Sequence, residues 1–141
     1  MWKEVIVSVF LIINTIMDLK TRKINIILCV LYGGLGIIVS VLCQDKDWIS
    51  LAGGMAVGAY LLFFALLTRE AIGIGDGFLV TAVGIWIGGS RTLLILMGSF
   101  LLTAVSGLIG ICTGKVTGKS ELAFVPFFTL SYAIIFAGGL L

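Results

Sequence analysis

Long apolar runs separated by short charged clusters fill this chain of 141 residues. The runs cover approximately residues 2–17, 24–43, 49–67, 78–88, 92–112 and 122–141. A membrane-spanning helix needs roughly 20 apolar residues, so the second, third, fifth and sixth runs are long enough, whereas the first and fourth are short. The pattern predicts an all-α, polytopic membrane protein with about six transmembrane helices, organised as a single membrane-embedded domain over residues 1–141.

Each of the two short runs lies beside an aspartate. Asp18 follows the first run, and Asp76 precedes the fourth within Gly73-Ile74-Gly75-Asp76-Gly77. We expect the first helix to continue through Asp18 and the fourth to begin inside the glycine-rich motif, because each helix then becomes long enough to span the membrane. Glycine lets the backbone there leave the helix and approach another segment closely. Irregular backbone at membrane depth must face protein or a water-filled cavity.

The composition narrows the classes of function. The chain is 60% hydrophobic and only 11% charged, against about 25% charged residues in soluble domains, so its solvent is lipid. Its net charge is +2 and its basic residues are scattered, which argues against a nucleic acid partner. The absence of histidine excludes Ser-His-Asp and Cys-His catalysis and imidazole metal sites. The three cysteines are far apart and are interpreted as small apolar residues.

The basic residues predict an orientation in the membrane. Six of them fall in the loops after the first, third and fifth runs, and three fall on the other side. Since cytoplasmic loops carry an excess of Lys and Arg, the six-residue side is expected to be cytoplasmic and both termini external. Asp18 and Asp76 then share the cytoplasmic side, as two acids acting together must.

Two neighbouring carboxyl groups can hydrolyse a peptide bond. In a poorly solvated site they resist double ionisation and share one proton, so one group activates water while the other polarises the carbonyl. This chemistry needs no metal and no cofactor. A structural interpretation remains open for each acid: Asp18 could pair with Lys20, Arg22 or Lys23, and Asp76 could cap the helix that follows it. The remaining acids, Asp45, Asp47, Glu70 and Glu121, suit surface turns or helix ends.

Three segments of the chain form a recognisable set: Asp18-Leu19-Lys20-Thr21-Arg22-Lys23-Ile24, then Gly73-Ile74-Gly75-Asp76 with the run on to Gly88-Gly89, and finally Ala123-Phe124-Val125-Pro126-Phe127. Together they resemble the type IV prepilin peptidase family, the GxGD intramembrane aspartyl proteases of bacteria and archaea. This resemblance implies that Asp18 and Asp76 are catalytic and that Gly73, Gly75 and Gly77 support the motif. The chain departs from many members at Asn25 and Ile26 after the first block, and at Phe78 where a lysine is common; these departures bear on substrate preference.

The same resemblance implies a substrate and a branch of the family. The substrate would be a prepilin or pseudopilin precursor with a basic leader and an apolar helix, cleaved at the cytoplasmic face of the cell membrane. The loops between the runs have no cysteine-rich insert, so the chain is similar to the short, peptidase-only branch without methyltransferase activity. The competing hypothesis is a non-catalytic membrane assembly factor or small transporter subunit, in which the two aspartates bind a cation or stabilise packing.

The predicted topology can be tested by labelling single cysteines introduced into a cysteine-free variant. We expect a cysteine at position 21 to react from the cytoplasmic side and one at position 46 to react from the outside, because the basic loops stay inside. A membrane-impermeant maleimide applied to intact cells and to inverted vesicles distinguishes the two. Reaction of both positions from the same side would contradict the six-span arrangement.

Overall fold

The computed structural model describes residues 2–21, 23–43, 48–68, 73–114 and 123–139, which form six α-helices. In chain order the helices are α1 (Trp2–Thr21), α2 (Ile26–Cys43), α3 (Trp48–Leu67), α4 (Ile74–Ile87), α5 (Gly89–Cys112) and α6 (Phe124–Ala137). The described ranges contain no β-strand. The predicted all-α fold is therefore confirmed.

The outer surfaces of the helices are apolar. On α5, for example, Leu93, Met97, Leu101 and Leu108 are all exposed. Among the described helices α2, α3 and α5 are long and apolar enough to cross a membrane, and α4 and α6 are shorter apolar helices. Such surfaces are unfavourable in water and suited to lipid, so the chain is a membrane protein.

The ends of three helices test the sequence predictions. Helix α1 continues through Asp18 to Thr21, and α4 begins at Ile74 inside the glycine motif, as expected. Helices α4 and α6, at 14 residues each, remain shorter than a full span. The 122–141 run was expected to be long enough for a full span. Instead, α6 ends at Ala137 and is followed by Gly138 and Gly139, and Gly139 has a φ of +69°.

A single residue, Gly88, separates α4 from α5. Its φ of +89° lies in the region that side-chain-bearing residues rarely adopt, and a Cβ there would collide with Oγ of Ser50 on α3. Glycine is therefore required for both the conformation and the space. This break ends α4 early and turns the chain directly into α5.

Helix α4 is the centre of the bundle and packs against α1, α2, α3 and α5. Most of its residues are buried, as expected of a helix that is apolar all round. Its closest neighbour is α3, where the backbones of Gly54 and Gly84 are in direct contact and Gly58 lies against Thr81. The Gly54-x-x-x-Gly58 pattern thus serves packing within the chain.

The other helices surround α4. Helix α2 approaches it through Gly33, beside Ala82, and Gly36, beside Trp86. Helix α6 packs between α1 and α5. The Nε1–H of Trp86 donates a hydrogen bond to the Tyr32 carbonyl at 3.0 Å, which joins α2 to the last turn of α4.

The helices alternate in direction, so that their ends gather at two opposite ends of the bundle. At one end the start of α1 meets the end of α4, with the Trp2 and Trp86 rings 6.4 Å apart. The Tyr132 hydroxyl of α6 also donates to the Glu4 carbonyl there. At the other end lie the end of α1 and the starts of α4 and α6. Asp18 and Asp76 belong to this second end.

The α3–α4 contact predicts the effect of adding one methyl group. Gly54→Ala should destabilise the protein by about 1–3 kcal/mol, because the new Cβ would overlap the Gly84 carbonyl and force the helices apart. Gly34→Ala is the matched control, since a Cβ on Gly34 meets nothing within 4 Å. Thermal unfolding in detergent measures both, and equal melting temperatures for the two variants would contradict the packing described here.

Candidate functional site

Asp18 is buried on the inner face of α1, with 6% of its surface exposed. The backbone N–H of Val125, in the first turn of α6, donates a hydrogen bond to its Oδ2 at 3.3 Å. The first N–H groups of a helix have no partner within the helix, and the carboxylate accepts one of these groups at the start of α6. It also lies at the positive end of the α6 dipole. Lys20 and Lys23 are exposed, and Arg22 lies outside the described residues. Asp18 therefore faces the protein interior rather than the membrane surface.

Asp76 lies in the first turn of α4 and is partly exposed. Its N–H donates to the Gly73 carbonyl at 3.0 Å, and the Gly73 backbone in turn hydrogen-bonds the Asp76 carboxylate. The bond between the Asp76 side chain and the Gly73 N–H is one half of a capping box, and Gly73 has no side chain to form the other half. The capping role considered for Asp76 from the sequence is thus present, and it fixes the carboxylate at the mouth of the bundle.

The two carboxylates lie at the same end of the bundle, close enough for the charge of Asp18 to act on Asp76. The thiol of Cys29, buried on α2, also lies within electrostatic range of Asp76. Three helices, α1, α2 and α4, therefore converge on this position, and α6 contributes a backbone donor. The proximity of Asp18 and Asp76 inferred from the loop charges is present in the structure; their catalytic role stays a prediction.

The motif glycines make room for this convergence. A Cβ on Gly75 would lie 2.8 Å from Cβ of Ile24, in the segment between α1 and α2. A Cβ on Gly77 would lie 2.6 Å from Cδ2 of Leu62 on α3, and one on Gly73 would lie 2.9 Å from Oδ2 of Asp76. Each glycine thus admits a different neighbour, and substitution at any of them displaces a part of the site.

Asn25, one of the departures from the family pattern, has a local structural role. Its Oδ1 accepts hydrogen bonds from the backbone N–H groups of Ile27 and Leu28, at 3.1 and 3.4 Å. Asparagine is among the preferred residues for capping the start of a helix in this way. It starts α2 immediately after Ile24, the residue that packs on Gly75.

A pair of hydroxyl groups fixes α6 against α1 one turn from Asp18. Oγ1 of Thr15 lies 2.7 Å from Oγ1 of Thr129. Thr129 also bonds the carbonyl of Val125, the residue whose N–H reaches Asp18. The pair therefore sets the depth at which the start of α6 meets the carboxylate.

Sequence reasoning missed the contributions of Asn14, Thr15, Thr129 and the Val125 backbone. Asn14 is fully buried one helical turn before Asp18. A polar residue four positions before a predicted catalytic acid, within an otherwise apolar run, is the signal that would have found it. The hydroxyl pair depends on the register of two helices far apart in sequence and has no comparable signal.

The other acids considered from the sequence, Asp45, Asp47, Glu70 and Glu121, lie outside the described residues, as does the pairing of Glu70 with Arg69. Within the described part of the chain no group of three or more Cys, Asp or Glu side chains is placed to hold a metal ion. What the site does contain is a pair of interacting carboxyl groups, each held by backbone N–H donors at the start of a helix. Two carboxyl groups within electrostatic range of each other resist double ionisation, which is a condition for acting as acid and base.

Comparison with known proteins gives one match. The family model described as the type IV leader peptidase family matches residues 5–108, which include Asp18, Asp76 and the motif glycines. Neither the curated proteins nor the solved structures gave a significant match. The match extends over most of the chain, from the first turn of α1 into α5.

The hydroxyl pair predicts a measurable coupling between α1 and α6. Thr15→Val and Thr129→Val should each destabilise the protein, and the double variant should cost less than their sum by about 0.6 kcal/mol, the typical value for hydrogen bonds between membrane helices. Thr103→Val is the control, because the Thr103 hydroxyl bonds only the Ser99 carbonyl of its own helix among the interactions seen here. A second cycle combines Thr15→Val with Thr103→Val and should be additive. Unfolding free energies of both cycles are measured, and full additivity of Thr15 with Thr129 would show that their hydroxyls do not interact.

Proposed function

The chain belongs to the type IV leader peptidase family, and from this premise we propose that it is an aspartic endopeptidase of the cell membrane. Its substrate is a type IV prepilin-like or pseudopilin precursor, whose leader peptide it removes at the cytoplasmic face. The observation that carries the proposal is the pair of interacting carboxylates, Asp18 and Asp76, at one end of the bundle. Family membership supports a peptidase activity; the aspartic mechanism, the substrate and the side of cleavage are the proposal.

The reaction follows from one proton shared by the two carboxyl groups. The ionised carboxylate removes a proton from water, and the resulting hydroxide attacks the scissile carbonyl carbon while the protonated carboxyl donates a hydrogen bond to the carbonyl oxygen. The tetrahedral intermediate then loses the amine, which takes a proton from the dyad as the C–N bond breaks. The pair is left with one proton, ready for another cycle.

The surroundings of the pair support these roles. Backbone N–H groups at the starts of α4 and α6 hold the two carboxylates in place, which limits the reorganisation needed during the reaction. Asp76 is partly exposed and so provides access for water and for the precursor. The basic leader of a precursor is also attracted by the two acids.

The position of the site also fits the proposed side of cleavage. Lys20 and Lys23, at the end of α1, are exposed at the same end of the bundle as the carboxylates. Basic loops stay in the cytoplasm, so the site faces the compartment in which a precursor presents its leader. The apolar helix of the precursor remains in the bilayer.

We expect Asp18→Asn and Asp76→Asn each to reduce cleavage by about 10²–10⁴-fold, because each removes an acid–base group that the other cannot replace. Asp45→Asn and Asp47→Asn are matched controls and should cleave nearly normally. The measurement is mass spectrometry of a synthetic precursor, with a basic leader and an apolar helix, incubated with the purified protein in lipid vesicles. A methyl donor is included, and the released N-terminus is expected to be unmethylated.

The outcomes separate the alternatives. Wild-type turnover by Asp18→Asn would contradict the two-aspartate mechanism. A product heavier by one methyl group would contradict the assignment to the peptidase-only branch. Absence of any product with the wild-type protein would favour a non-catalytic assembly or ion-binding role for the two acids.

A further inference from the structure

Asn14 carries a hydrogen-bond acceptor that the described structure leaves unused. Its side chain is fully buried, and its Nδ2 donates to the Phe10 carbonyl at 2.9 Å. Since only the nitrogen of the amide can donate to a carbonyl, this bond fixes which end is oxygen. Oδ1 is buried and has no hydrogen-bond partner among the described residues. A buried acceptor without a partner is destabilising, and a donor from a bound molecule would remove this cost.

The proposed reaction creates groups that need such an acceptor. A peptide bond within a helix must leave the helix to be attacked, and the helix that remains beyond it then starts with up to four N–H groups lacking partners. Within the bilayer no water is present to satisfy them. The precursor's apolar helix would therefore meet the enzyme with unpaired donors in its first turn, directly after the scissile bond.

Asn14 lies where that first turn must pass. It is four residues before Asp18 on the same inner face of α1, or about 6 Å deeper into the bundle at 1.5 Å per residue. An extended chain advances about 3.3 Å per residue, so a bond held at Asp18 places its second or third following residue at the depth of Asn14. Asparagine is also among the best residues for accepting N–H groups at a helix start.

The same face of α1 already caps another helix. The Asp18 carboxylate accepts the N–H of Val125 in the first turn of α6. Asn14, one turn deeper, presents a second acceptor of the same kind, for which no helix start within the described chain supplies a donor. From this we propose that Oδ1 of Asn14 accepts a first-turn N–H of the precursor's helix and so caps it during cleavage, an inference that rests on the proposed peptidase function.

The proposed capping requires access to an amide that is buried in this structure. Helix α1 packs mainly on α6, and α2 packs mainly on α4. Helices α1 and α2 meet at the Phe10 and Tyr32 rings, which stack with centroids 3.8 Å apart, one turn deeper than Asn14. Because Asn14 follows Phe10 by one turn on the same face of α1, the proposal requires α1 and α2 to separate on the site side of this stack.

The enzyme side of the test compares Asn14→Ala with Asn14→Ser. The two replacements have nearly the same size and differ by one oxygen, so they leave similar space, but only serine retains an acceptor. We expect Asn14→Ala to lower kcat/KM for the synthetic precursor by about threefold to tenfold, and Asn14→Ser to lower it less. The two variants should have similar melting temperatures, because neither side chain restores the packing of asparagine.

The substrate side identifies the donor. In a set of synthetic precursors, each of the first four amides after the scissile peptide bond is replaced in turn by an ester, which removes one N–H. With the wild-type enzyme, the ester at one position should lower kcat/KM by about threefold to tenfold. With Asn14→Ala, the ester at that same position should lower kcat/KM no further. This non-additivity is the signature of a direct hydrogen bond, which a purely structural role of Asn14 does not produce.

Two results would overturn the inference. Full additivity of Asn14→Ala with every ester would show that the amide oxygen does not meet the precursor. Equal kcat/KM for Asn14→Ala and Asn14→Ser would show that the oxygen has no role. Both results require that the wild-type enzyme cleaves the parent precursor, so they are distinct from failure of the proposed function, in which no precursor is cleaved.

Discussion

The contact between Gly54 and Gly84 sets the position of everything around it. Because neither residue has a side chain, α3 and α4 approach until their backbones touch, and attraction at such short range is the main force that associates helices in lipid. This contact places α4 at the centre of the bundle, where α1, α2 and α5 also pack on it. The start of α4, with Asp76, is thereby held at a fixed depth beside the end of α1, with Asp18.

Placing a buried and a partly exposed carboxylate in such a bundle is costly, and the fold compensates with backbone donors. Asp18 accepts an N–H from the start of α6, and Asp76 accepts one from Gly73 at the start of α4. The first N–H groups of a helix must find partners outside the helical ladder in any case. Each bond therefore satisfies two groups at once, and both carboxylates lie at the positive end of a helix. Among the described residues, both carboxylates therefore receive backbone donors from the starts of helices.

Much of this arrangement could be predicted from the sequence, because it depends on local pattern. The apolar runs predict the six helices, and the short runs beside Asp18 and Asp76 predict that α1 continues past one acid and that α4 begins at the other. The early end of α4 at Gly88 could not be predicted, since it depends on a positive φ and on Ser50 of another helix. The Thr15–Thr129 pair likewise depends on the register of α1 with α6. The spacing of Asn14 and Asp18 can be read from the sequence, but the burial of Asn14 and the lack of a partner for its Oδ1 among the described residues cannot.

Helix α1 shows how these elements combine. Its outer face, with Ile12, Ile16 and Leu19, is apolar and exposed. Its inner face changes from apolar at Leu11 to polar at Asn14 and Asp18, toward the end that holds the site. In water the reverse order would be expected, with polar groups outside. In lipid the outside must be apolar, so polar groups can be retained only where the protein itself receives them. The polar stripe on α1 therefore lies inside the bundle, at the end where α1, α4 and α6 meet and where Asp76 is partly exposed.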